Sequence, residues 1–165
     1  MPAEPAVHPS TQKVLDAARR LGLAIEVRHF AEGTRTAQEA AQAVGATLGQ
    51  IAKSMVFLAD GEPVLVLTSG PNRVDTAKVA RHLGASQVRR ASADEVRQAT
   101  GFAIGGVPPF GHIRSLTVLF DRDLLQFETV WGAAGTPNAV FPIEPGRLAE
   151  ASGAAVADIK EQWGR

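Results

Sequence analysis

The order of apolar and polar positions divides the chain into short elements. Val14, Leu15, Ala18 and Leu21 recur at helical spacing after Ser10, and Gly22 supplies a stop, so a helix is predicted there. Ile25 to Phe30 alternates as a short strand. Thr36-Ala-Gln-Glu39 reads as a capping box, Thr at the cap and Glu three residues on, with Gly45 as terminator. A helical turn is expected over Leu48 to Ala52. Two dense apolar runs, Ser54–Ala59 and Pro63–Thr68, flank Asp60-Gly61-Glu62 and predict a β-hairpin at the centre of the core.

Asp75 can cap a helix running to Leu83 and closed by Gly84. Ser92-Ala-Asp-Glu95 is a second capping box, whose helix ends at Gly101. A loop rich in Gly and Pro fills Gly105 to Gly111. Strands are predicted over Ser115–Phe120, Glu128–Trp131 and Ala139–Ile143, then helical segments over 146–151 and 155–163. Residues 1–9, with three prolines, read as a flexible lead-in, and 10–165 as a single domain. Irregular alternation with one clear hairpin fits a mixed α+β or α/β fold better than a regular βαβ array.

Composition narrows the chemistry. Of the 165 residues 45% are hydrophobic, which suits one domain with a real core. Seventeen basic residues balance seventeen acidic ones, so no broad basic surface exists to grip a long nucleic-acid backbone; a small footprint remains open. With no cysteine there is no disulfide, thiolate metal site or cysteine nucleophile. No leader-like or membrane-spanning apolar run is present, and the expectation is a cytoplasmic protein.

Familiar catalytic signatures are missing. His8, His29, His82 and His112 show no metal-binding spacing, and there is no GxSxG, Walker or GxGxxG motif. Two quieter features remain. Lys53, one of only four lysines, opens the apolar strand Ala52-Lys53-Ser54-Met55-Val56-Phe57-Leu58 and shares a face with Met55 and Phe57. Its ammonium either snorkels to solvent or points into a cleft. The second is Gly101-Phe-Ala-Ile-Gly105-Gly106-Val107-Pro108-Pro109-Phe110-Gly111-His112, where glycines admit close backbone approach and prolines hold shape. Such a loop is either an oxyanion-type cradle or a plain connection.

Taken in order, several motifs resemble the YbaK / prolyl-tRNA-synthetase-associated editing domain family across roughly residues 11–160. They are Arg28-His29-Phe30, Thr36-Ala-Gln-Glu-Ala-Ala41, Ala52-Lys53-Ser54, the helix start at Asn72–Leu83, and the Gly105-x-x-x-Pro109 loop with Gly111. Phe127-Glu128-Thr129 and the glycine turn Gly132–Gly135 complete the set. The resemblance implies a mixed α+β domain with a central, partly barrel-like mixed sheet surrounded by helices. It also implies a free-standing trans-editing deacylase that hydrolyses the aminoacyl ester of a mischarged tRNA carrying a small amino acid; the rival reading is a non-catalytic tRNA- or aminoacyl-binding module.

Carried onto this chain, the family's lysine falls on Lys53, and the loop donors fall on Gly105 and Gly106. Phe30, Thr36, Ser54, Val107, Pro108, Pro109 and His112 become the expected substrate-binding set. Phe30 stands where relatives can have tyrosine, Ser54 where they often have threonine or asparagine, and the glycine turn lacks the basic residues common in it. The implied partners are the acceptor end of a mischarged tRNA and an aminoacyl-tRNA synthetase, with no membrane, no cofactor and no metal. A monomer or small homo-oligomer is expected.

Overall fold

The computed structural model describes residues 7–30 and 36–162. Its centre is the hairpin of β2 (Ala52–Ala59) and β3 (Glu62–Ser69), paired antiparallel from Ala52↔Ser69 to Ala59↔Glu62. Asp60 and Gly61 alone make the turn, with φ +48° and +84°. Left-handed backbone at both positions matches the twist of the flanking strands. The Asp60 carboxylate accepts from the N–H groups of Ser86 and Gln87, which pins the turn to the next segment.

Three further strands extend this sheet. β5 (Thr117–Asp121) lies parallel to β3, and β8 (Ala155–Ala157) parallel to β5. β4 (Val88–Arg90) pairs with the far end of β2, giving the order β4-β2-β3-β5-β8. A second sheet has the order β1 (Arg28–His29), β7 (Ala139–Ile143), β6 (Val130–Ala133). A single parallel bridge, Ile51↔Trp131, joins the two sheets. The result is a mixed α+β fold whose sheets do not close into a barrel.

The five helices among the described residues start where local chemistry allows. α1 (Pro9–Arg20) has His8 as cap, its ring nitrogen accepting from Ser10 N–H. α2 (Ala37–Val44), α3 (Thr76–Leu83) and α4 (Ala93–Thr100) are capped by Thr36, Asp75 and Ser92, and all three end in a left-handed glycine. α5 (Pro145–Ala151) begins with proline at its first position.

The faces of the larger sheet differ. Ala52, Val56, Leu65, Leu67 and Phe120 face the main core, with Val14 of α1, Val96 of α4, Leu148 of α5, Val107 and Phe141. Phe57, Val64, Val66 and Leu119 face a smaller core under Val79 of α3 and Ile159. A third cluster joins Ile51 and Trp131 to Ala40 and Ala41 of α2.

Three expectations are corrected. The helix expected over 155–163 is not formed by its described residues, 155–162: Ala155 pairs with Leu119, and Lys160 bridges Val74. A parallel partner thirty-odd residues away outweighs the helical leaning of its alanines. The strand over Ile25–Phe30 contracts to Arg28–His29, because Ile25 and Val27 pack on the core without ladder partners. β4 and a 3-10 turn at Arg122–Gln126 were not foreseen. Of the lead-in, residues 1–6 lie outside the described residues, and α1 already begins at Pro9.

Candidate active site

Lys53 lies two residues beyond Ile51, on the face of β2 that carries Ile51, Met55 and Phe57. Its half-buried ammonium donates to the backbone carbonyl of Asn72 at 3.0 Å. Among the described residues it forms no ion pair. Burial is the main influence lowering its pKa; Arg90 and Arg73 push the same way, while Asp121 opposes them.

The Gly105–Pro109 loop is fixed by close approach to the turn between β6 and β7. A Cβ on Gly106 would stand 2.7 Å from the Gly135 carbonyl oxygen and 2.8 Å from Thr136 Cα. Pro109 in turn packs against Gly132, and Pro137 against the left-handed Gly105. The same β6–β7 hairpin is bridged to β2 beside Lys53. One scaffold therefore carries both features, the lysine strand on one side and the glycine loop at its tip.

Not every expected residue reaches that place. Phe30 is half-buried against the Ile51–Trp131 cluster, and its N–H donates to Asn138. Thr36 is exposed and acts as the α2 cap, accepting from Glu39 N–H and donating to its carboxylate. Ser54 alternates away from Lys53, onto the face of Ala52 and Val56; its hydroxyl is buried and has no partner. Val107 is 2% exposed and belongs to the main core, and Pro108 and Pro109 are buried too. Gly106 cannot serve as a free donor, because its N–H is bonded to Ala103. Gly105 and Val107 N–H groups have no backbone acceptor among the described residues.

His112 is held at 2.6 Å from the Pro108 carbonyl through Nε2, so that nitrogen is the donor. Burial lowers its pKa, the carbonyl bond opposing. The bond closes the loop on itself. Beside it runs a cleft of about 320 Å³ along Pro109, His112, Ile113 and Ala151; a larger one, about 530 Å³, lies at Leu58, Asp60, Thr76 and Arg89. Lys53 lines neither of these two clefts.

Sequence reasoning missed the polar residues behind Lys53. Asn72 and Asp121 are 6% and 1% exposed and bonded to each other. The available signals were faint: an aspartate ending an apolar strand, and an asparagine in a Gly-Pro-Asn turn.

Comparison with known proteins bears on the family and the fold. Residues 31–151 match the model of the aminoacyl-tRNA editing domain. The uncharacterized protein YwhH of Bacillus subtilis is 34% identical over 140 residues, 84% of this chain and 88% of that protein. Proline–tRNA ligase of Limosilactobacillus fermentum is 39% identical over 97 residues, 56% of this chain but only 17% of the ligase. Among solved structures, a candidate trans-editing enzyme for prolyl tRNA synthetase superposes with a TM-score of 0.91 at 47% identity, covering 95% of this chain and 100% of that one.

Proposed function

The chain belongs to the aminoacyl-tRNA editing domain family, and from that premise we propose that it acts free-standing, in trans, hydrolysing the ester of a mischarged tRNA that carries a small amino acid. The observation that carries this reading is the Lys53 ammonium: half-buried, bonded only to a carbonyl, and without a carboxylate partner among the described residues. A half-buried cation with no carboxylate in direct contact is suited to an anion that arrives with the ligand.

The chemistry follows from charge. Water adds to the ester carbonyl, and the carbonyl oxygen becomes an oxyanion in the tetrahedral intermediate. Collapse breaks the bond to the terminal ribose oxygen, which takes a proton, and the amino acid leaves as its carboxylate. Lys53 stabilises the oxyanion or the adjacent terminal phosphate, with the N–H groups of Gly105 and Val107 as further donors. No side-chain nucleophile is required. Phe30, beside Ile51 and Trp131, supplies an apolar wall on the lysine side.

A deacylation panel tests the proposal: alanyl, seryl and phenylalanyl esters on one tRNA. An apolar wall separates single methylenes by only about 10–200-fold, so alanyl and seryl esters are cleaved and the phenylalanyl ester is left intact. Equal rates for alanyl and phenylalanyl esters would refute size selection. Tight binding of every ester with no turnover would refute hydrolysis and leave the binding-module reading in its place.

A further inference from the structure

The polar residues behind Lys53 form one continuous chain. Asn72 uses its backbone carbonyl to hold the ammonium at 3.0 Å, and its side-chain amide donates to two carboxylates, Asp121 at 2.8 Å and Asp123 at 2.9 Å. Asp121 also accepts from Ser69 N–H, and its other oxygen accepts from Asp123 N–H. Asp123 in turn takes the ammonium of Lys160 at 2.6 Å. Register places Lys53, Thr68 and Asp121 side by side on one face of the sheet. Lys53 pairs with Thr68, and the parallel pairing Leu67↔Phe120 brings Asp121 next to Thr68.

Burying a carboxylate to this degree is unfavourable unless every oxygen is satisfied, and here both are. Asparagine suits its position for a specific reason. Its short, neutral amide carries two N–H donors for the two carboxylates, and an aspartate there would face both with like charge. The arrangement fixes the Asn72 carbonyl, and with it the direction of the Lys53 side chain.

We propose that Asn72 and Asp121 are positioning residues of the editing site, aiming the Lys53 ammonium through the Asn72 carbonyl and holding its positive charge with a buried negative one. The inference rests on the role given to Lys53 above. Other charges facing Lys53 are Arg90 of β4 and Arg73 of the turn before α3, both disfavouring the ammonium; Asp121 of β5 favours it. Asp123 and Lys160 stand one step further along the chain. Neutralising Asp121 therefore makes the ammonium lose its proton at lower pH.

The test combines kinetics with direct titration of the lysine. The chain has four lysines, so Lys53 Cε is assigned in 13C NMR by its loss in Lys53→Arg. Asp121→Asn is expected to move both the Lys53 titration and the alkaline limb of kcat to lower pH by about 1 pH unit, with kcat down about 10-fold and KM little changed. Asp123→Asn, at a part-exposed carboxylate, should move both the same way by less, and keeps the test alive if Asp121→Asn fails to fold. If folded Asp121→Asn or Asp123→Asn leaves both titration and limb in place while Lys53→Ala is inactive, the positioning role is overturned. If the titration moves but Lys53→Ala cleaves at full rate, the tether stands and the catalytic role of Lys53 falls instead.

Discussion

The lysine corner and the glycine loop both adjoin the β6–β7 hairpin but are built on opposite physical terms. Around Lys53 the geometry is set by side-chain charge: an ammonium, two guanidinium groups, two carboxylates and an amide that links them. Around Gly106 it is set by the absence of side chains, with backbone approaching backbone more closely than any Cβ permits. The first kind of order responds to pH and to neutralised charge; the second responds to added volume and ignores pH. The editing site proposed above, if it draws on both, has an electrostatic centre and a rigid frame that can be perturbed separately.

The sharpest way to break the comparison is to remove its charge. Lys53→Ala is expected to lower deacylation by about 10²–10³-fold while leaving the melting temperature nearly unchanged. Lys53→Arg should rescue poorly, since a planar fork does not replace a compact ammonium. Full activity in the alanine variant would empty the lysine corner of its role.

Volume is the next lever. Gly106→Ala places a methyl 2.7 Å from the Gly135 oxygen, so the loop must shift off the β6–β7 turn. A displacement of that size should cost about 10–10²-fold in kcat, with the pH profile kept. A changed pH profile would mean that loop and lysine are not independent. Val107→Ala belongs to the same half of the molecule, but it empties core rather than pocket. It should destabilise by about 1–3 kcal/mol, read in a melting curve, with the preference for alanyl over phenylalanyl esters unaltered.

Stability against pH separates the two regions again. Because the folded Lys53 pKa lies below its unfolded value, the unfolded chain binds more protons between the two, and stability rises with pH across that window. Lys53→Met should abolish that part of the rise and stabilise the protein below it, as denaturant titrations at a series of pH values will measure. The smallest effect expected is from Thr36→Ala, which removes the α2 cap at a cost of about 1 kcal/mol or less. If it also alters the rate for small esters, the cap lies closer to the substrate than its exposed hydroxyl suggests.

Local chemistry was legible in the sequence, and tertiary chemistry was not. Thr36, Asp75 and Ser92 were readable as caps, and Gly45, Gly84 and Gly101 as helix ends, because capping involves residues within one turn. The β2–β3 hairpin was readable because Asp60-Gly61 carries its own left-handed backbone. Lys53 stood out as a rare cation opening an apolar strand, and its face followed from a period of two.

What lay beyond reach depended on partners distant in the chain. Ala155–Ala157 became a strand only because β5 offered it a parallel edge. Ser54 and Val107 turned inward, away from an expected pocket, because the main core forms on that side of the sheet. Gly106 lost its free N–H to Ala103, a turn bond that no residue type announces. The amide of Asn72 meets Asp121 across 49 residues of sequence, and no periodicity encodes that distance. The sequence by itself determined the caps, the hairpin and the lone strand-opening cation, since each is decided by neighbours a few bonds away. Only the folded chain decided where that cation points and what holds it, because burial and buried hydrogen bonding exist only once remote segments have excluded water between them.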